Sequence, residues 1–274
     1  IDENTKRAND LYNQNKLLAR ETAQNFYKNK INRKFTYEQS YTKQQSAGLI
    51  NFQYSKKILS IYTSSDDEFR YLSSDWGGGA VVDQINEINK IYNIVNNDYD
   101  VVVRMHPNQA FVNRNTYLEY LNNINKNIIL IEPNDKCDSY ELINVSDVVV
   151  TFCSLIGPEA AYQGKKTITI GPSPYINFKI GENINCGSQI FTAIKTYQNF
   201  NKEGSIIWSN YLMNYCDSLR FFRKFSNGTY SVYNYHIKNK SLSMSLFIAK
   251  LEIFMSKKFY VNTKLFFYII NKIK

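Results

Sequence analysis

Three observations in the sequence predict an α/β fold built on a parallel sheet. Short β-rich runs recur at Ile58–Tyr62, Val101–Met105, Ile128–Ile131, Val148–Phe152 and Thr167–Ile170. Two of them, Val101-Val102-Val103 and Val148-Val149-Val150, are apolar at every position. Such strands must be covered on both faces, as in a parallel sheet lying between layers of helix. Segments with helical character separate the runs, at Val82–Val95, Thr116–Ile124, Tyr140–Val145 and Pro158–Gln163. The resulting βαβαβαβαβ alternation is that of a Rossmann-like sheet, whose ligands bind beyond the carboxyl ends of the strands.

The flanking segments differ in character. Asn4–Lys30 reads as a polar helix and Asn32–Gly48 as irregular chain, so the predicted division is a helical segment 1–48, a Rossmann-like domain 49–200 and a basic helical region 201–274. In that last region two amphipathic helices are expected. Met244, Phe247, Ile248, Leu251, Phe254 and Met255 recur at helical spacing beside Lys250, Lys257 and Lys258; Leu265, Phe266, Ile269, Ile270 and Ile273 repeat the pattern. Their apolar stripes fit either a partner subunit or the rest of the fold, or an anionic membrane surface.

Charge and cysteine usage narrow the function class. The chain of 274 residues carries a net charge of +9, but eight Lys against one Glu between Lys238 and Lys274 account for +7 of it. A nucleic-acid-binding domain spreads its basic residues over the fold with aromatics between them, so no nucleic-acid partner is expected. Cys137, Cys153, Cys186 and Cys216 form no CxxC pair, which argues against a disulfide framework or zinc site and favours a reducing cytoplasm. The first residues, Ile1-Asp2-Glu3-Asn4, do not read as a signal peptide, and no apolar stretch approaches ~20 residues.

The loops that follow the strands hold the candidate site. After the first comes Thr63-Ser64-Ser65-Asp66-Asp67-Glu68-Phe69, in which Ser64 and Ser65 offer hydroxyls to a phosphate or acceptor and the acids offer a helix cap or a base. The second ends in Arg104-Met105-His106-Pro107-Asn108, with His106 held at the sheet edge by a proline that favours extended backbone before it. Arg104 and His106 are candidate phosphate ligands, His106 as a hydrogen-bond donor or, protonated, as a countercharge. The fourth runs through Val148-Val149-Val150-Thr151-Phe152-Cys153-Ser154 into a helix expected near Leu155, with Pro158 in its first turn. Thr151, Ser154 and the amides beside Gly157 read as a phosphate cradle, and Glu159 as a ribose ligand. The fifth ends in Gly171-Pro172-Ser173-Pro174-Tyr175, where Tyr175 either stacks on a base or sugar or packs inward.

Taken in order, the Thr63–Phe69, Arg104–Asn108 and Ser146–Ala161 motifs, with Gly164-Lys165, resemble the bacterial capsule polysaccharide biosynthesis family. That family is itself similar to Kdo transferases and, more distantly, to sialyltransferases and teichoic-acid glycerophosphotransferases. The resemblance covers about Gln45 to Tyr175. It implies the donor-binding half of a GT-B glycosyltransferase, with His106, Thr151 and Ser154 at the donor phosphate and Glu159 at the ribose. A second, acceptor-binding Rossmann domain belongs to such an enzyme, and only one set of βα units is legible here. The acceptor site is then expected either outside this chain or on Asn4–Gly48 and the C-terminal third.

The expected reaction moves a sugar from a nucleotide-activated donor, CMP-linked by preference, to a growing surface glycan or glycolipid. No cofactor or metal is expected, because no Asp-x-Asp pair closes a strand, with Asp66-Asp67 the nearest approach. His106 then stabilises the leaving group, and Asp66, Asp67 or Glu68 serves as base. The alternatives are a GT-B-type nucleotide-sugar epimerase and a non-catalytic nucleotide-binding or scaffold domain. The expected location is the cytoplasm, with peripheral attachment to the inner face of the plasma membrane through residues 244–274.

Overall fold

The computed structural model describes residues 3–34, 45–65, 83–109, 114–197, 202–216, 223–224 and 230–231. Six strands form one sheet: β1 (Lys57–Tyr62), β2 (Tyr99–Arg104), β3 (Ile129–Ile131), β4 (Val148–Thr151), β5 (Lys166–Ile170) and β6 (Glu182–Ile184). Every pairing is parallel, and the strand order is β3-β2-β1-β4-β5-β6. This is the doubly wound order of a dinucleotide-binding fold. The predicted α/β class and Rossmann-like parallel sheet are therefore present. The sixth strand is an addition, and the sequence marks it poorly because it is three residues long with only Ile184 buried.

Alternation along each strand sends side chains to two separate cores. Leu59, Ile61, Val101, Val103, Val148, Val150, Ile168 and Ile170 share one face with α3 (Gln84–Val95) and α7 (Ile190–Thr196). Ile58, Val102 and Val149 share the other with Tyr140, Leu142 and Ile143 of α5 (Ser139–Val145) and Ala160 of α6 (Ile156–Tyr162). Helix α4 (Arg114–Asn123) joins β2 to β3. The central strands are thus buried on both sides, which is why β2 and β4 carry the unbroken runs Val101–Val103 and Val148–Val150.

The N-terminal segment folds as two helices rather than one. Helix α1 (Glu3–Gln14) stops at Asn15, whose side chain accepts the Leu18 N–H and caps α2 (Lys16–Ile31). With α8 (Lys202–Tyr211) they make a third cluster of Tyr12, Ala19, Ala23, Tyr27 and Ile206. Tyr27 stacks on Tyr162 of α6, ring centroids 4.1 Å apart, and its hydroxyl donates to the Ser205 carbonyl at 2.8 Å. Residues 1–214 form one compact unit that includes these helices. In the second unit, residues 215–274, the structure describes an antiparallel pairing of β7 (Arg223–Lys224) with β8 (Tyr230–Ser231). The amphipathic segments expected within 244–274 lie outside the described residues.

Candidate functional site

The strand order reverses between β1 and β4, and it is there that the polar loops gather. Tyr62 at the end of β1 is in register with Arg104 of β2 on one side and Thr151 of β4 on the other. At a spacing of roughly 4.8 Å per strand, the loops after β2 and β4 start roughly 10 Å apart with the β1 loop between them. In a doubly wound sheet such a switch point opens a crevice for ligand.

Backbone and hydroxyl groups tie the three loops together. Thr63 Oγ1 accepts the His106 N–H at 2.9 Å, and the Thr63 N–H donates to the Arg104 carbonyl. Ser64 Oγ donates to the Phe152 carbonyl, a bond that joins the β1 loop to the β4 loop. Gln84, at the start of α3, clamps the same turn: its amide accepts the Ser64 N–H at 3.0 Å and donates to the Ser64 carbonyl at 3.2 Å. Ser64 and Ser65 are consequently buried. Of the β1-loop acids, Asp66, Asp67 and Glu68 lie outside the described residues.

His106 is half-buried at the edge, and its ring is oriented from below. Nδ1 accepts the Asn108 N–H at 3.2 Å, which places the proton of the neutral imidazole on Nε2 and makes that atom a donor. Arg104 is turned the other way. The residue is 3% exposed, and its guanidinium donates to the carbonyls of Glu132 and Asp135, both at 3.2 Å. Burial depresses its pKa, although Cys137, Asp135 and Asp138 nearby favour the charged form. Arg104 therefore holds the chain after β3, and the structure does not bring it together with His106 as a pair of ligands.

The turn after β4 is built around Tyr175. Cys153 adopts a left-handed backbone conformation, φ 59°, which swings the chain from β4 toward α6. The buried Tyr175 hydroxyl donates to the Ser154 carbonyl at 2.8 Å and lies 3.1 Å from Thr151 Oγ1. Desolvation raises the Tyr175 pKa well above its ordinary value and keeps the phenol protonated as that donor. Of the two open placements for Tyr175, the structure takes the inward one, with its ring edge-on to Trp208. Gly157 lets the helix approach: a Cβ there would stand 2.7 Å from the Tyr175 hydroxyl and 3.3 Å from Thr151 Oγ1. Ser154 is half-buried at the edge, and its Oγ accepts the Ile156 N–H at 3.3 Å. The hydroxyls on the two sides of the turn thus each have a partner within the fold.

Glu159, the expected ribose ligand, is 5% exposed and forms an ion pair of 3.4 Å with Lys30 at the end of α2. Three residues of this neighbourhood were not singled out from the sequence: Lys30, Gln84 and Gln109. Among the described residues, Gln109 Oε1 after β2 and Ser173 Oγ after β5 are buried with no hydrogen-bond partner. Both sit in loops at the carboxyl edge, where a polar ligand or water would satisfy them.

No family model matches the chain, and neither does any curated protein. Solved structures do. The Thermosulfurimonas dismutans KpsC beta Kdo 2,4 transferase aligns at 14% identity and a TM-score of 0.45, over 73% of this chain and 55% of that one. The KpsC beta Kdo 2,7 transferase of the same organism aligns at 16% and 0.41, over 71% and 53%. The wall teichoic acid polymerase TagF aligns at 16% and 0.35, over 61% and 40%. This chain thus spans about half the length of the two KpsC structures. The strand order and all-parallel register, read directly, make it a Rossmann-like α/β domain whose polar loops meet at the switch point.

Proposed function

We propose that this chain supplies the nucleotide-sugar-binding half of a GT-B glycosyltransferase that extends a bacterial surface polysaccharide, with a CMP-linked donor preferred. The observation that carries the reading is the meeting of the His106, Thr63–Ser65 and Phe152–Ser154 loops at the β1/β4 switch point. The ordered motif resemblance to the capsule polysaccharide biosynthesis family supports it from the sequence side. In this reading the donor phosphate sits over the crevice and receives a hydrogen bond from His106 Nε2. An acceptor hydroxyl attacks the anomeric carbon while the bond from that carbon to the phosphate oxygen breaks. The electron pair leaves with the nucleotide, and the acceptor proton passes to a carboxylate among Asp66, Asp67 and Glu68. The basic segment 244–274 would hold the enzyme at the cytoplasmic face of the membrane, beside a lipid-linked acceptor.

The test is thermal unfolding of the whole chain against CMP-, UDP-, GDP- and CDP-linked sugars, because a ligand that binds only the folded state raises its stability. A CMP-linked donor is expected to raise the Tm most. If no nucleotide sugar moves the transition, the donor-binding reading fails.

A further inference from the structure

A groove of about 900 Å³ opens between α1, the start of α8 and the turn of 3-10 helix at Ile176–Phe178 that follows Tyr175. Its volume is in the range of sites that hold a small organic ligand. One wall is fixed by Tyr12, whose hydroxyl donates to Glu203 while Arg20 lies 3.5 Å from the same carboxylate. The opposite wall is fixed by Phe178, packed edge-on against Trp208 at 5.1 Å. The groove is thus held open by contacts behind it.

Its lining combines two chemistries. Asn9, Asn13 and Asn177 bring side-chain amides to the lining, Asn9 with one N–H already given to the Thr5 carbonyl at 2.7 Å, and Ile176, Phe178 and Ile207 supply apolar faces. That mixture suits a saccharide, whose rings carry hydroxyls around their rim and C–H groups on their faces. The charges then select the kind of saccharide. Lys6, Lys16 and Lys179 all line the groove, and none has a carboxylate partner among the described residues. Of the two carboxylates present, Glu203 is engaged by Arg20 and Tyr12, which leaves Asp10 against three ammonium groups. A neutral chain would leave that excess uncompensated, whereas a chain bearing carboxylates or phosphates would neutralise it.

We propose that this groove binds an acidic saccharide chain and serves as the acceptor site; the word acceptor rests on the transferase reading above, and the binding does not. The groove's lining begins one residue after Tyr175 and includes no residue of the loops after β1, β2 or β4, so a chain held there does not occupy the switch-point crevice.

The whole protein should be titrated calorimetrically at low salt with oligogalacturonate, with oligo(glycerol phosphate) and with neutral maltohexaose, each with and without CMP. At least one acidic chain is expected to bind about tenfold tighter than maltohexaose, with CMP bound at the same time. Which one binds distinguishes carboxylate from phosphate as the recognised group. The Lys6→Glu/Lys179→Glu variant changes exposed side chains only, and is expected to weaken acidic-chain binding about tenfold or more while leaving CMP affinity unchanged. Lys6→Gln/Lys179→Gln should fall between the two. Equal affinity for neutral and acidic chains, displacement of the acidic chain by CMP, or no effect of either variant overturns the proposal. Acidic-chain binding that persists in a protein unable to bind any nucleotide sugar supports the groove and sinks the transferase reading.

Discussion

The Lys30 ammonium stands 3.4 Å from the Glu159 carboxylate, and the two side chains retain only 10% and 6% of their exposure. The pair bolts the N-terminal helices onto the helix that follows β4. Removing one partner takes the compensating charge away from the other in a poorly solvated site, so Lys30→Met or Glu159→Gln alone should cost about 3–5 kcal/mol of stability. The double variant Lys30→Met/Glu159→Leu should lose less than either single change, because it leaves no unpaired charge. Urea unfolding of all four proteins measures this. Single variants within experimental error of the parent would show that the pair contributes nothing.

Gly157→Ala sets two effects against each other. In an open helix the change would be worth about 1 kcal/mol in favour of Ala. Here the new methyl would meet the Tyr175 hydroxyl at 2.7 Å, and overpacking of this kind costs about 1–3 kcal/mol. The expected net effect is destabilisation. Combining it with Tyr175→Phe removes the nearest atom, so the double variant should be less destabilised than the two singles added. Strict additivity by chemical denaturation would place the strain elsewhere.

His106→Ala should leave the fold intact, since the imidazole is only half-buried and its backbone N–H keeps its bond to Thr63. If Nε2 donates to the departing phosphate, kcat should fall about 10²–10³-fold with little change in the melting transition. His106→Gln, which retains a terminal N–H donor, should recover part of the rate. Turnover near the parent's in His106→Ala would assign the ring a structural role.

The strand set was legible because buried parallel strands require apolar residues at every position, and Val101–Val103 and Val148–Val150 supply them. The edge loops were legible because hydroxyls, Gly and Pro interrupt those runs. Lys30 was not legible: a lysine near the end of a polar helix reads as solvated, and only the packing of α2 on α6 buries it. Helix α8 falls within the region read as helical, 201–274, but its own limits are not marked in the sequence, since its buried positions include Gly204, Ser205, Ser209 and Asn210 as well as Ile206 and Trp208. Arg104 and Tyr175 were recognised as residues at strand ends, but sequence does not say to which side an end residue turns.

Attachment through the basic segment is testable by sedimentation with liposomes. Each Lys near an anionic surface contributes ~1 kcal/mol, so the whole chain should pellet with anionic vesicles at low salt and be released at high salt. A chain ending at Lys240 should remain in the supernatant under all conditions. If the whole chain also remains there, residues 244–274 serve a protein interface instead.

The acid limb of stability should carry the signature of Asp100. Its carboxylate accepts the Lys56 N–H at 2.9 Å and the Ser55 N–H at 2.6 Å, and these bonds hold its pKa below the ordinary value. An unfolded Asp titrates near pH ~3.9, so the folded form binds its proton less readily and the unfolded state takes up protons first as pH falls. The stabilisation is therefore fully present above about pH 5 and is lost as pH drops through the depressed folded value. Because the group is largely solvent-screened, Asp100→Ala should cost no more than about 1 kcal/mol at neutral pH. That difference should shrink as pH falls through the depressed folded value, where the parent carboxylate takes up its proton as well. Urea unfolding of parent and variant at a series of pH values gives the answer: a gap that stays constant from neutral to acid pH would mean that the two N–H bonds do not depend on the charge.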